Sequence, residues 1–171
     1  MVRLKTATAD TANITAYNVM DNISFVSDST VDGFNFDSTD NPSLWNYFTN
    51  ITMRACKYGI LFYSPNGVTT KYNNSNFFTN IDIHNCVKGL YVKEGYADAN
   101  IFHGLDIGEA STNEIHIDNA LAVCARMIIN GYMSWDFLGA ARVVGYSPGG
   151  TLQGDGTNRL FSMTSGAYSG F

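Results

Sequence analysis

The sequence predicts an all-β fold: a right-handed parallel β-helix, a short single-stranded solenoid with irregular terminal caps. Three observations predict it. A segment of the chain's middle recurs at an offset of 30 residues, its apolar residues alternate with period two, and Asn or Gly separates the alternating runs.

Composition narrows the class first. The 171 residues suffice for one domain with a core and are too few for two ordinary ones. Ten Lys plus Arg against 15 Asp plus Glu leave a formal charge of −5, so no positive field draws phosphates or anionic lipid, and nucleic acid is not an expected partner. Charged residues are only 15%, against roughly 25% in ordinary soluble proteins. The 18 Asn and 16 Gly supply polarity without charge, which suits tightly turned β-structure and argues against a helical bundle. No apolar run has the length of a signal peptide core or a membrane span, so neither signal-directed export nor membrane insertion is expected. Cys56, Cys86 and Cys124 are odd in number and spaced by 30 and 38, which fits neither a disulfide framework nor a zinc motif. Reduced thiols are expected.

The units can be read in order. Segment 47–53 (Tyr-Phe-Thr-Asn-Ile-Thr-Met) returns as 77–83 (Phe-Phe-Thr-Asn-Ile-Asp-Ile), and at the same offset Cys56 falls on Cys86 and Gly59 on Gly89. Segment 60–62 (Ile-Leu-Phe) falls on 90–92 (Leu-Tyr-Val). A third copy, 101–107, follows 24 residues further on and runs into Glu114-Ile115-His116-Ile117, while an earlier one reads Asn22-Ile23-Ser24-Phe25, then Gly33-Phe34-Asn35-Phe36. Each unit therefore holds two short alternating strands with a turn residue between them. Ile81 and Ile83 face one side, Asp82 and His84 the other, as a strand with one buried face requires. A unit of 24 to 30 residues that turns several corners returns one strand spacing higher, about 4.8 Å. Equivalent residues then stack. Asn22, Asn50 and Asn80 are expected to form a corner ladder ended by Gly104, and Phe48, Phe78 and Phe102 an inward aromatic column. An antiparallel sandwich of short strands is the competing fold, but it has no need of matched units.

Core strands cannot absorb insertions without losing register, so extra residues leave as loops, expected at 38–44, 67–75 and 94–98. Beyond Asn119 the pattern weakens: 122–129 is apolar enough for another coil, and Ser147-Pro148-Gly149-Gly150 and Gly154-Asp155-Gly156 break the remainder. Residues 1–20 read as an N-terminal cap or lead-in, 21–136 as coils, and 137–171 as a C-terminal cap or trimer-contact segment.

Candidate chemistry follows from the stacking. Thr52, Asp82 and Asp106 share one outward position, which sets Asp82 and Asp106 side by side about 5 Å apart, the spacing of a retaining glycosidase pair. Glu109 and Glu114 offer a second acid. Outward carboxylates on a solvated sheet are also ordinary, and that reading stays open. His84 on the face of Asp82, and His116 on the second strand of the next unit, suit a base for elimination, a contact to a sugar ring, or a plain surface hydrogen bond. Arg54 aligns with His84 and suits an acidic sugar or a neighbouring subunit's Asp. His103 aligns with Thr79 near the corner and reads as structural. Among Trp45, Tyr63, Tyr72, Tyr91, Tyr96 and Trp135, several face outward or lie in loops, where aromatic rings stack on sugar C–H faces or line subunit interfaces. The sequence holds no phosphate loop, dinucleotide fingerprint or nucleophile elbow, and Gly154-Asp155-Gly156 is too short for a calcium loop. No metal and no cofactor is expected.

The run 80–92 (Asn-Ile-Asp-Ile-His-Asn-Cys-Val-Lys-Gly-Leu-Tyr-Val), with its neighbours in register, resembles the right-handed parallel β-helix of pectin-lyase-like proteins, most closely bacteriophage tailspikes, over about residues 18–135. Coil grammar and an Asn-rich, Gly-rich, low-charge texture carry it; no catalytic signature is matched. The resemblance implies a homotrimer on a virion, in the phage tail, made in bacterial cytoplasm. It also implies recognition of the host's surface polysaccharide, capsule or O-antigen, often with cleavage. Three functions are thus expected in competition: a polysaccharide-recognising attachment module, a depolymerase proper of endoglycosidase or lyase type, and a structural trimerisation tip. An ice-binding solenoid is disfavoured, because no regular Thr-x-Thr ladder lines one face.

Overall fold

The computed structural model describes residues 2–4, 15–65, 71–117, 122–123, 127–135, 143–147, 150–154 and 161–163, with side chains for 16–65, 71–117 and 127–131. In coil order, β1 (Val2–Leu4) precedes a first full coil of β2 (Thr15–Ala16), β3 (Val19–Val26) and β4 (Phe34–Asp37). Next come β5 (Ser43–Leu44), β6 (Tyr47–Arg54) and β7 (Tyr58–Tyr63), then β8 (Asn73–Asn74), β9 (Phe77–His84) and β10 (Lys88–Tyr96). The fourth coil holds β11 (Ile101–Gly108) and β12 (Asn113–Ile117). Beyond it lie β13 (Ala122–Val123), β14 (Ile128–Trp135), β15 (Val143–Ser147), β16 (Gly150–Gly154) and β17 (Phe161–Met163).

Stacking these coils builds a short parallel β-helix. Strands β3, β6, β9, β11 and β14 form one five-stranded sheet, and β2, β5 and β8 a short one. The remaining sheet runs parallel from β1 through β4, β7, β10 and β12 to β15, with β13 added on β10 and β16 and β17 closing it antiparallel. Its register is the predicted one: Tyr47 pairs with Phe77, Ile51 with Ile81 and Arg54 with His84 across β6 and β9. Phe77 pairs with Ile101 across β9 and β11.

The sequence expectation is corrected in three places. The first three coils have three sides where the repeat predicted two strands: β5 and β8, read as parts of loops 38–44 and 67–75, are only two residues long and too short to display a period. Segment 94–98 is not wholly a loop, since β10 runs to Tyr96; residues 66–70 lie outside the described ones. Parallel pairing also passes both expected coil limits, with β1 and β2 before residue 21 and β15 beyond residue 136. Of the breaks expected late in the chain, 148–149 and 155–156 lie outside the described residues, as does Cys124.

The corners have a common cause. Asn22, Asn50 and Asn80 are left-handed at φ 53 to 56°, and Gly104 and Gly131 continue their column at φ 70 and 69°. Gly104 therefore ends the Asn side chains of the column, as expected, while the left-handed corner itself runs on to Gly131. One left-handed residue resets the alternation of a strand, so that Thr79 points out, Asn80 turns the chain and Ile81 points in. Asn and Gly tolerate this conformation best among the residue types. Two further corners stack in the same way, Tyr17, Trp45, Ser75 and Ala99 at φ 53 to 60°, and Ser29, Ala55, Asn85 and Glu109 at φ 52 to 69°.

Inside, Phe48, Phe78 and Phe102 stack with centroids 4.9 and 4.4 Å apart, near the strand spacing that dictates the repeat. Ile51, Ile81 and Leu105 form the next column, all buried, against Phe36, Phe62 and Leu90 from the opposing sheet. A Cβ on Gly89 would lie 2.5 Å from both Ile107 Cγ2 and the Glu114 carbonyl, so only glycine lets the turn pack there. Cys56 and Cys86 stack as predicted and are free thiols. The Cys86 sulfur accepts the Cys56 N–H at 3.3 Å. The hydrogen bond its thiol gives to Cys56, together with burial, pushes the Cys86 thiol up and keeps it protonated.

A second Asn ladder runs through the interior. Nδ2 of Asn18 donates to Oδ1 of Asn46 at 2.8 Å, Asn46 to Asn76 at 2.8 Å and Asn76 to Asn100 at 2.9 Å. Each acceptor oxygen also takes the backbone N–H of the residue below, at 3.1, 3.2 and 3.0 Å. Asn100 closes the ladder on the carbonyls of Asn73 and Ala97. Its signal lay in plain view, an Asn one residue ahead of β3, β6, β9 and β11, with Met127 breaking the series before β14.

Candidate functional site

The corner column and the strands that leave it build the site. Outward positions on the five-stranded sheet after the left-handed residue are Thr52 and Arg54 on β6, Asp82 and His84 on β9, and Asp106 on β11. Thr52 and Asp106 pair in register with Asp82 on either side, and Arg54 with His84. His84 Nε2 lies 2.6 Å from Asp82 Oδ1, and Arg54 Nη2 donates to Asp82 Oδ2 at 3.4 Å. One ligand atom each from Asp82, His84 and Asp106 falls within 4.8 Å of the others. These three side chains are the set, among the described residues, that could hold a metal ion.

A groove of about 440 Å³ runs along the coil axis beside them. Its polar lining is Asn22, Asn50, Thr52, Asn80, Asp82 and Asp106, drawn from four successive coils. Asn80 Nδ2 donates to Asn50 Oδ1 at 2.7 Å, and Asn50 Nδ2 to Asp21 Oδ1 at 3.0 Å, so the expected corner ladder passes to Asp21 instead of Asn22. Gly104 also lines the groove and presents no side chain to it.

Ahead of the corner the same sheet face is aromatic. The Tyr47 and Phe77 rings stack at 4.9 Å and 6°, and Tyr47 is 42% exposed. At the left-handed corner before β3 and β6, Tyr17 and Trp45 stack at 5.5 Å and 22°, with Tyr17 68% exposed. The sequence reading named Trp45 only; the alignment of Tyr47 on Phe77 was the signal for the rest. From Tyr47 to Thr52 is five residues along β6, about 16 Å at roughly 3.3 Å per residue.

The other predicted residues do not join this site. His116 and Tyr91 stand on β12 and β10, on the opposing sheet, paired in register with their rings 5.0 Å apart. Tyr91, expected to be open to ligand, is only 6% exposed, because Tyr58, His116 and the Lys88 side chain over its ring cover it. His116 also faces Asn113 Oδ1 at 3.0 Å. Glu114 is no surface acid: it follows Gly89 in register, at an inward position, and is buried. Glu109 sits in the turn after β11, away from the groove lining. His103 aligns with Thr79 and is exposed. Trp135 pairs with Gly108 at the end of β14, and its side chain lies outside the described residues. Tyr63 lies under Lys93, and Tyr72 bridges to Tyr96, both on or beside the opposing sheet.

No protein-family model matches the chain, no curated protein matches it, and no solved structure matches it.

Proposed function

We propose that the outer face of the five-stranded sheet recognises a cell-surface polysaccharide. The observation that carries this reading is the placement of a polar groove and an exposed aromatic stack on one rigid face. Amides, a hydroxyl and carboxylates in the groove accept from and donate to sugar hydroxyls, while Tyr47 and Phe77 offer flat surfaces to the C–H faces of rings. The groove spans four coils, about 14 Å at about 4.8 Å per coil, room for two or three sugar units. The tailspike resemblance extends the reading to attachment of a phage virion to its host through capsule or O-antigen. It also extends it to a homotrimer, supported by the apolar side chains Val19, Val26 and Ile128 left exposed on the same sheet. Light scattering at the trimer mass is the expected result, and a clean monomer would remove that part of the proposal.

The separation of Asp82 and Asp106 favours a second reading, cleavage as well as binding. Carboxylates that bring an oxygen each within 4.8 Å of one another suit the close pair of retaining hydrolysis, in which Asp82, already turned toward Arg54 and His84, attacks the anomeric carbon and Asp106 protonates the leaving oxygen. A panel of capsular and O-antigen polysaccharides separates the readings. Binding without new reducing ends or unsaturated uronide absorbance leaves attachment alone. If reducing ends appear, Asp82→Asn and Asp106→Asn should each lower their release about 10²- to 10⁴-fold. Silence of the whole panel in binding would count against the saccharide reading itself.

A further inference from the structure

Resting on that reading, we infer that the groove takes an N-acylated amino sugar, whose amide sets on Asn80 where the corner column has Gly104 in place of a further Asn. The corner ladder runs in one direction. Asn80 Nδ2 donates to Asn50 Oδ1 and Asn50 Nδ2 to Asp21 Oδ1, so each amide gives a hydrogen one coil down and can accept one from the coil above. At the lower end the bonds finish on a carboxylate. At the upper end Asn80 Oδ1 meets no donor among the described residues, and the next position in register is Gly104.

Lack of space does not require that glycine. A Cβ on Gly104 would come no closer than 3.8 Å to the Asn80 backbone, an ordinary contact, whereas on Gly89 it would collide at 2.5 Å. The left-handed φ of 70° does not require it either, since Asn22, Asn50 and Asn80 hold φ 53 to 56° in the same column. Gly104 therefore leaves unfilled, on the lining of the groove, a place that an amide would fit, and Gly131 one coil higher adds no side chain to fill it.

The missing partner is defined by what the ladder repeats. It must bring one N–H to an amide oxygen and lie flat on the amide below, as Asn80 does on Asn50. A secondary amide carried on a sugar ring does both, and its acyl methyl covers the bare backbone of Gly104. A sugar hydroxyl can donate to Asn80 Oδ1, but it has no plane to lay on the amide and no methyl for the glycine. Thr52, Asp82 and Asp106 beside this place remain to bind the hydroxyls of the same unit.

Calorimetric titration of the full chain with the hexasaccharides of N-acetylglucosamine and of glucose, in the same linkage, tests the inference, because the two differ only in an acetamido group for a hydroxyl. N-acetylglucosamine is expected to bind about tenfold tighter, the worth of about one hydrogen bond. Gly104→Asn puts the protein's own amide in the vacant place; it should melt at or above the parent temperature and bring the preference close to one. Asn80→Ala removes the acceptor and should do the same to the preference. Equal affinities in the parent chain, or a preference that survives in both variants, would overturn the inference and keep the saccharide reading. A melt lowered by several degrees in Gly104→Asn would overturn it too, since glycine would then be there for the backbone. If neither hexasaccharide binds but a member of the polysaccharide panel does, that polymer decides: it should carry an N-acylated amino sugar and lose affinity on N-deacetylation, and a binder without one, or one indifferent to deacetylation, would overturn the inference. Failure of both hexasaccharides and of the whole panel would remove the saccharide reading and this inference with it.

Discussion

Ile81→Asp is expected to leave the chain unfolded. Ile81 is 2% exposed and stands in the inward column between Ile51 and Leu105, so an aspartate there loses about 2 kcal/mol of apolar burial and places an unpaired charge where no water reaches. The combined cost exceeds about 5 kcal/mol, comparable to the whole stability of an ordinary domain at about 5–15 kcal/mol. Loss of the cooperative thermal transition, and of the β signal in far-ultraviolet circular dichroism, is the result to look for. A normal melt would mean that Ile81 does not face the interior. Asp82→Asn, one residue away and outward, should melt close to the parent.

Asn76→Ala should cost about 3–5 kcal/mol, for a different reason. The Asn76 side chain accepts from the backbone and side-chain nitrogens of Asn46 and donates to Asn100 Oδ1 and the Ser43 carbonyl, all in a fully buried setting. Alanine removes four hydrogen bonds and leaves buried partners without them, at about 1 kcal/mol or more each. For a chain of this size the melting temperature should fall by about 8–15 °C. Asn80→Ala is the comparison. Asn80 is exposed, bonds Asn50 at 2.7 Å and holds φ 55°, so its loss should cost about 1–1.5 kcal/mol, most of it left-handed strain. Equal losses for the two would show that burial does not set the worth of an Asn ladder here.

These two Asn ladders also mark how far the sequence could be read. Asn50 and Asn80 were recognisable as a stack because they lie inside a matching segment, and the same match carried Cys56 onto Cys86 and Asp82 onto Asp106. Asn46, Asn76 and Asn100 stand at the same offsets one residue ahead of the matching segments, yet period-two alternation says nothing of a polar residue before a strand begins. Strands β5 and β8 escaped for a related reason: two residues cannot show a period. Tyr91 was misjudged because alternation gives the side of the sheet a residue leaves from and not what its neighbours lay over it. His84 read as lying on the first strand of its unit and His116 on the second strand of the next, and only the fold around the coil shows that those strands belong to opposing sheets.

The amino-acid order by itself determined the coil, its register, the inward columns and the adjacency of Asp82 and Asp106. All of these follow from repetition along the chain, because each unit returns the backbone to the same place one strand higher. Tertiary structure alone decided the third side of the first three coils, the Asn18 to Asn100 ladder, the seclusion of Tyr91 and the grouping of Asp82 with His84 and Arg54 beside an open groove. Those depend on what meets across the coil and over its surface, where packing, corner angle and side-chain reach act between residues whose positions no local period relates.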